Sequence, residues 1–302
     1  MQALNIIYGN IPSTLSQLIR TAFIAEESYT FVVADFSAIE ARVISWLAGE
    51  QWRLNVFKTH GKIYEASASQ MFGVPIEKIK KGNAEYSLRQ KGKVAELALG
   101  YQGGPGALIQ MGALENGLTE EELPDIVSRW RQSNKRIVDL WHTIQNCAIN
   151  CLKTGQTQVM QKNIYFSIEN GNLTITLPSK RQLFYIQPRI EINNFGSEAL
   201  SYMGQNQTTK KWERIPTYGG KLTENLVQAI ARDCLAEAIE RLVKNNYKVL
   251  FHIHDEIIAE VPKNDDRFSL ENAIKLMCTM PEWAEGLPLN ADGFTNDYYK
   301  KE

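Results

Sequence analysis

The chain has 302 residues, of which 44% are hydrophobic and 22% are charged. This composition is typical of a globular protein with a sizeable core, and it excludes a disordered tail, a collagen-like fibre and a small disulfide-rich domain. The 33 lysines and arginines nearly balance the 34 aspartates and glutamates, which gives a formal net charge of −1. Such a balance neither favours nor excludes a nucleic-acid partner, because a basic groove can coexist with acidic surfaces elsewhere.

The cysteines and the hydropathy pattern indicate the cellular compartment. The 4 cysteines are too few and too scattered for a disulfide framework. We expect buried free thiols, with a zinc site as the weaker alternative. No apolar run approaches the ~20 residues that span a membrane, and the N-terminal segment has neither the basic start nor the long apolar core of a signal peptide. The sequence therefore predicts a cytoplasmic protein without a membrane partner.

The N-terminal half predicts one short strand among helices. The predicted elements are a helix over 13–24, a strand over 31–34, a helix over 39–47, and helical stretches at 63–72, 94–101, 107–114 and 126–152. Residues 103–106 (Gly-Gly-Pro-Gly) are interpreted as a helix stop, since they follow a helix and lack the Gly-Lys-Ser/Thr ending of a phosphate loop.

The C-terminal half begins with short alternating segments that predict strands. The predicted elements are strands at 157–160, 164–168, 173–177 and 183–192, a helix over 222–244, a β-hairpin with strands at 247–251 and 257–262, a helix over 268–280, and an irregular tail from 290. The layout predicts an α+β fold. A discontinuous domain of residues 1–55 and 190–302 is interrupted by a mainly helical domain of residues 56–189.

Acidic residues stand where a predicted strand ends and at the tip of the predicted hairpin. Asp35 follows the strand over 31–34, whereas Asp255 and Glu256 lie at the hairpin tip. Strand ends and hairpin tips project side chains from the edge of a sheet, so these distant carboxylates can converge there. Converging aspartates repel one another unless a divalent cation lies between them, and oxygen ligands suit Mg²⁺ or Mn²⁺. The alternative to a metal site is that these acidic residues are solvated turn residues. For Asp35 taken alone, this alternative is favoured.

Basic and aromatic residues recur every four positions in a predicted helix. Arg89, Lys93, Leu97 and Tyr101 therefore share one helix face. The cations would bind phosphates and the ring would border a base, so this face predicts a nucleotide site. An ordinary solvated basic face over a helical core explains these residues equally well.

Three stretches, in order, resemble motifs A, B and C of the family A DNA polymerases. They are Asp35-Phe36-Ser37-Ala38-Ile39-Glu40-Ala41-Arg42 for motif A, Arg89-x3-Lys93-x7-Tyr101 for motif B, and Ile253-His254-Asp255-Glu256 for motif C. The resemblance covers nearly the whole chain and is closest to the phage branch of the family. It implies that residues 1–55 and 190–302 form a polymerase palm and that residues 56–189 form the fingers.

The resemblance also implies roles for the acidic and basic residues. Asp35 and Asp255 correspond to the metal-binding aspartates, with the Phe36 carbonyl as a further ligand, for two Mg²⁺ ions or Mn²⁺. Arg89 and Lys93 correspond to the triphosphate contacts, with Lys93 as general acid for pyrophosphate. Glu256 corresponds to an acid that supports this catalytic site.

Further positions correspond to contacts with the sugar, the base pair and the DNA. Glu40 resembles the steric gate against a ribose 2′-OH, and Tyr101 the ring that borders the nascent base pair. Gln228, His254 and Arg42 correspond to DNA contacts, Gln228 on the minor-groove side and His254 at the primer terminus.

Four positions depart from the family pattern, and one of them is Ala38, which replaces a Gln in motif A. Leu97 stands where bacterial members have Phe or Tyr, which leaves discrimination at the sugar 3′ position open. Tyr64 occupies the place of a phosphate-contacting His. Lys180 stands in a turn where Gly is usual, which implies mild backbone strain there.

The family also carries segments that have no counterpart in this sequence, namely a thumb and often a 3′–5′ exonuclease before motif A. The resemblance therefore implies template-directed DNA synthesis on primer–template DNA from dNTPs, by the palm and fingers of a split or truncated polymerase. It implies an N-terminal thumb or exonuclease segment in trans and an apolar surface near residues 1–30 to receive it. The alternatives are an inactive remnant that binds DNA or a partner chain, and a metal nuclease, which leaves the row from Arg89 to Tyr101 unexplained.

Overall fold

The computed structural model describes residues 11–192 and 196–300 of the chain. In chain order, the elements are α1 (Ile11–Thr21), β1 (Tyr29–Phe36), α2 (Ile39–Ala48), α3 (Gln51–Thr59), α4 (Ile63–Phe72), α5 (Ser87–Leu99), α6 (Pro105–Gln110), α7 (Leu123–Ser133), α8 (Lys135–Thr154), β2 (Gln158–Met160), β3 (Ile164–Glu169), β4 (Asn172–Thr176), β5 (Gln182–Ile192), β6 (Glu198–Gln205), β7 (Trp212–Thr217), α9 (Gly219–Lys244), β8 (Lys248–Ile253), β9 (Glu256–Pro262), α10 (Leu270–Met277) and β10 (Ala291–Asn296). This mixture of helices and antiparallel sheets agrees with the predicted α+β class.

The chain divides into two compact units. The first comprises residues up to 39, 232–281 and those from 289 onward, and the second comprises 40–231 and 282–288. The boundaries between the units therefore differ from those predicted at 55/56 and 189/190. One reason is that β6 and β7 extend the same sheet as β2 to β5, so these strands belong with the residues before 190.

The first unit contains a four-stranded antiparallel sheet in the order β10-β1-β9-β8. Its central strand β1 carries the aromatic and β-branched residues that favour strands. Residues 31–34 are each at most 2% exposed, because both faces of β1 are covered. Phe31, Val33, Ile258 and Tyr299 form the buried cluster on one side. Helix α10 packs against β1 and β10.

The second unit combines the helices α2 to α8 with a six-stranded antiparallel meander in the order β2 to β7. The stretch predicted as helical over 126–152 is two helices, α7 and α8, separated at Asn134. Asn134 is fully buried, and its side chain donates to the Trp130 carbonyl and accepts from Arg53. Trp130 and Trp141 stack with their ring centroids 6.1 Å apart and so hold the two helices together.

Several local predictions are confirmed. The four strands predicted between 157 and 192, the long helix before the hairpin and the hairpin itself are all present. Residues 103 and 104 lie between α5 and α6, as a helix stop requires. Lys180 adopts a φ of 70°, which is the glycine-like conformation expected at that turn.

The predicted irregular tail is wrong, because residues 291–296 form β10 and pair with β1 along its length. The segment Ala291–Asn296 is poor in strand-forming residues, so the pairing with β1 decides its conformation. Strands β6 and β7 and helix α3 were likewise not predicted.

The cysteines of the described chain are all free thiols. Cys151 and Cys234 are buried, whereas Cys147 and Cys278 are half-buried. Among the described residues, no helix is long and apolar enough to cross a membrane.

Candidate active site

The first unit brings the two predicted metal-binding aspartates together through its backbone. Asp35 lies near the end of β1, in register with Glu256 at the start of β9. The Phe36 N–H donates to the Asp255 carbonyl oxygen at 3.3 Å. The end of the strand and the tip of the hairpin are therefore adjacent, which is the arrangement in which their carboxylates can converge. Asp35 is exposed and Asp255 is half-buried.

The turn that carries Asp255 has an unusual backbone. Residues 254 and 255 connect Ile253 and Glu256, which are paired across the hairpin. His254 adopts a φ of 53° and is exposed. A left-handed conformation is uncommon for a residue with a side chain, and such strain is often found at functional sites. Ala38, just after β1, has a φ of 52°. Both segments that carry the aspartates thus depart from ordinary backbone geometry.

Glu256 is held by a hydrogen bond from Tyr299, a residue that was not predicted to belong to the site. The Tyr299 hydroxyl donates to a Glu256 carboxylate oxygen, and Arg20 donates to the same hydroxyl oxygen at 3.0 Å. Burial and the neighbouring Glu256 raise the pKa of Tyr299 to about 12. The phenol therefore stays protonated at neutral pH and holds Glu256 in place. The sequence offers no signal for this contact, because Tyr299 lies in the tail that was predicted to be irregular.

A further carboxylate was also missed, for the same reason. Asp292 in β10 lies in register with Asp35, on the opposite side of β1 from Glu256. The Ser37 hydroxyl donates to Asp292 at 2.5 Å. Since residues in register across antiparallel strands project to the same face, Asp35 stands between two acidic neighbours.

The chemistry of this donor set fits a hard divalent cation. Within the described residues, no three His, Cys, Asp or Glu side chains are placed to bind a metal ion together. Magnesium, however, is commonly held by one or two carboxylates that leave positions for phosphate oxygens and water. The Asp35 and Asp255 carboxylates, with the carbonyl of Phe36, match that requirement in ligand type.

In the second unit, the row predicted on one helix face is present along α5 for Arg89, Lys93 and Leu97, whereas Tyr101 lies in the turn after the helix ends at Leu99. Arg89 donates from its Nε to Glu65 at 2.8 Å, and its guanidinium lies over the Tyr64 ring at 5.5 Å. Burial raises the pKa of Tyr64. Tyr64, at one of the positions that depart from the family pattern, therefore lies beside the predicted phosphate contact Arg89.

Lys93 differs from the other cations of α5. Arg89 is paired with Glu65, and Lys91 with Glu122 at 2.8 Å. Lys93 is half-buried and has no acidic partner in the part of the chain that the structure describes. Leu97, one turn later, is 49% exposed. The Lys93 ammonium thus differs from Arg89 and Lys91 in that no carboxylate among the described residues is paired with it.

Glu40, Tyr101 and Gln228 meet although they come from three separate segments. The Tyr101 hydroxyl donates to Glu40 at 2.5 Å, and the Gln228 amide lies 3.4 Å from the other Glu40 oxygen. Burial and the Glu40 carboxylate raise the pKa of Tyr101 well above its usual range. The phenol therefore remains a donor and orients the carboxylate.

Arg42, predicted as a DNA contact, is only 3% exposed. It donates to the Pro288 carbonyl at 2.8 Å, and its guanidinium lies over the Phe57 ring at 4.6 Å. In this arrangement the Arg42 guanidinium lies in the interior of the second unit and not at its surface.

A buried ion pair that was not predicted from the sequence anchors α5. Arg53 is 1% exposed and donates to Glu96 of α5 at 2.8 Å. The Trp130 indole donates to the same Glu96 oxygen at 3.0 Å. No sequence spacing could have linked residues 53, 96 and 130, which lie on α3, α5 and α7.

Known proteins resemble this chain in both sequence and fold. A sequence model described as DNA polymerase family A matches residues 4–184. The chain belongs to DNA polymerase family A. A DNA polymerase of Bacillus phage SP02 is 55% identical over all 302 residues, which are 46% of that protein. The thermostable DNA polymerase I of Thermus aquaticus is 24% identical over 84% of this chain and 25% of its own length.

A solved polymerase-domain structure shares the fold. The POL domain of Pol1 from M. smegmatis, in complex with DNA primer-template and dNTP, aligns with a TM-score of 0.59 and 17% sequence identity. The alignment covers 93% of this chain and 42% of that one. The chain thus spans less than half the length of these relatives.

Proposed function

We propose that this chain carries out template-directed DNA synthesis, adding deoxynucleotides to a primer 3′-OH. The observation that carries the proposal is the adjacency of Asp35 and Asp255 in a chain of DNA polymerase family A. These two residues and the Phe36 carbonyl would hold two Mg²⁺ ions, or Mn²⁺. The ions would supply the activation of the 3′-OH and the stabilisation of charge on the departing pyrophosphate.

The residues of α5 would bind the triphosphate. Lys93, with no internal acidic partner, would donate to phosphate oxygens and protonate the leaving pyrophosphate. Arg89, held by Glu65 and the Tyr64 ring, would present its remaining N–H groups to the same triphosphate. Tyr101 would border the nascent base pair while its hydroxyl orients Glu40. Glu40 would then stand where a ribose 2′-OH clashes.

Two exposed residues would contact the DNA. His254 at the exposed hairpin tip would contact the primer terminus, and the exposed Gln228 the minor-groove side. Glu256, fixed by Tyr299, would support the hairpin. The residues with these roles would belong to a polymerase palm and fingers. The chain would act in the cytoplasm.

A thumb-bearing or exonuclease segment would act in trans. The support is an apolar face of α1: Leu15, Leu18 and Ile19, which share one side of the helix, are each more than half exposed. Ile24 is 72% exposed just after it. This agrees with the apolar surface predicted near residues 1–30. An N-terminal polymerase segment that covers this face should raise primer extension and bind at equimolar ratio, whereas Leu18→Glu should abolish that gain.

The experiment that tests the function is extension of a labelled primer with four dNTPs. The chain should lengthen the primer, and Asp255→Asn should lower the rate by at least ~10³-fold, since the metal loses a charged ligand. Asp266→Asn, which removes an exposed carboxylate of the first unit outside the proposed site, is the control. Shortening of the primer would indicate a nuclease, and DNA binding without any change of length a non-catalytic subunit. Either outcome would contradict the proposal.

A further inference from the structure

Arg232 and His252 make a contact that stands apart from the other charged contacts of the first unit. Arg232 lies on α9 and His252 on the edge strand β8, and both side chains are exposed. The two terminal guanidinium nitrogens lie 3.2 Å from Nδ1 and 3.1 Å from Nε2 of the imidazole. No acidic residue pairs with Arg232 within the described chain. Three of the other exposed cations of this unit have such partners: Lys244 with Glu240, Lys263 with Asp297, and Arg267 with Asp265.

The chemistry of this contact leaves a donor without an acceptor. A neutral imidazole has one N–H and one lone pair, and a protonated imidazole has two N–H groups. A guanidinium only donates. In every protonation state and tautomer, therefore, the imidazole offers at most one lone pair to the two guanidinium nitrogens that lie beside it. Burial and Arg232 lower the pKa of His252, as expected where a second positive charge would be unfavourable. A negatively charged oxygen at this place could accept from both side chains.

The position of the pair beside the hairpin tip suggests which anion it meets. His252 is the second-to-last residue of β8, the strand directly before the turn of residues 254–255 that carries Asp255. Asp255 is the residue proposed to act at the primer 3′-OH. An oxygen acceptor at Arg232 and His252 would thus lie a short distance from the 3′ end of the primer. Each nucleotide of the primer strand carries one phosphate, which can supply that oxygen.

We propose that Arg232 and His252 form a binding site for one backbone phosphate of the primer strand, close to its 3′ end. Arg232 supplies the charge, since guanidinium–phosphate pairs are among the stronger hydrogen-bonded contacts. His252 positions the guanidinium and donates a second hydrogen bond. The site rests on the proposed function, and it adds a contact that fixes the register of the primer without reading its sequence.

The first experiment measures primer–template affinity over a range of salt concentrations without dNTP. Arg232→Gln should weaken binding about tenfold and lower the slope of log affinity against log salt by about 1, which is the signature of one lost phosphate contact. His252→Asn should weaken binding less, because the guanidinium remains. Lys244→Gln removes one exposed, ion-paired cation from the same helix and should leave the slope unchanged. Equal slopes for Arg232→Gln and the wild-type chain would overturn the site.

The second experiment locates the phosphate. Single uncharged methylphosphonate linkages are placed at successive positions of the primer and of the template. One position near the primer 3′ end should weaken binding of the wild-type chain but not of Arg232→Gln. The affinity for dNTP should be unchanged in this variant, whereas a loss there would assign the anion to the triphosphate and refute the proposal.

The outcomes separate this inference from the proposed function. The phosphate site alone would be refuted if the wild-type chain extends primers and the same methylphosphonate positions weaken DNA binding in Arg232→Gln as in the wild-type chain. A wild-type chain that neither binds nor extends primer–template DNA would refute both.

Discussion

The two units position their predicted functional residues by different means. In the first unit, Asp35 and Asp255 are brought together by strand register and by the main-chain hydrogen bond from Phe36 to Asp255. In the second unit, the residues of the α5 row are placed through side-chain contacts with other segments, such as Arg89 with Glu65 and Tyr101 with Glu40. A site built on paired strands depends mainly on the sheet, whereas a helix-face site depends on every partner that orients it.

The largest effect on stability should come from the contact that anchors α5. Arg53→Ala leaves the Glu96 carboxylate buried without its cation, which costs about 3–5 kcal/mol in the free energy of unfolding. Lys244→Ala, which breaks an exposed pair with Glu240, should cost at most about 0.5 kcal/mol. Urea denaturation of both variants measures the difference. Equal midpoints would contradict the view that α5 depends on this contact.

The next effect concerns the unpaired cation of α5. Lys93→Ala should lower single-turnover nucleotide incorporation about 10²-fold, because the transition state loses a donor to the triphosphate. DNA affinity should change little. Lys91→Ala removes a cation from the same helix that is already paired with Glu122, and it should leave the rate within a few-fold of the wild-type rate. Similar incorporation rates for Lys93→Ala and Lys91→Ala would contradict a specific role of Lys93 at the triphosphate.

A smaller effect should appear in sugar selection. Glu40→Ala opens the space proposed to exclude a 2′-OH, so the preference for dCTP over CTP should fall about tenfold. Tyr101→Phe keeps the ring and removes the hydroxyl that orients Glu40, so a lesser loss of preference should follow. The ratio of the two incorporation efficiencies is the measurement. An unchanged ratio in Glu40→Ala would show that Glu40 does not select the sugar.

The sequence could predict those parts of the structure that local pattern determines. The hairpin around Asp255 and the spacing of the α5 row are visible as alternation and four-residue periodicity. That Asp35 could lie near Asp255 was anticipated because both follow strand ends. The register between β1 and β9 could not be derived from the sequence spacing. These positions also carry the resemblance to the family.

Other contacts could not be predicted, because their partners are distant in sequence and their residues carry no local signal. Strand β10 forms only because β1 offers a free edge, so Asp292 and Tyr299 were missed with it. Arg53 and Glu96 are ordinary charged residues until folding buries them together. The burial of Arg42 has the same origin, since its acceptor Pro288 is 246 residues away.

The most direct test of the central claim is a count of bound metal ions. Electron paramagnetic resonance measures the Mn²⁺ bound per chain in the presence of dNTP and a primer that ends in a dideoxynucleotide. About two ions are expected for the wild-type chain. Asp35→Asn and Asp255→Asn should each bind at least one ion fewer, while the Asp266→Asn control should match the wild-type count. Equal counts in all four proteins would contradict the assignment of Asp35 and Asp255 as the metal ligands.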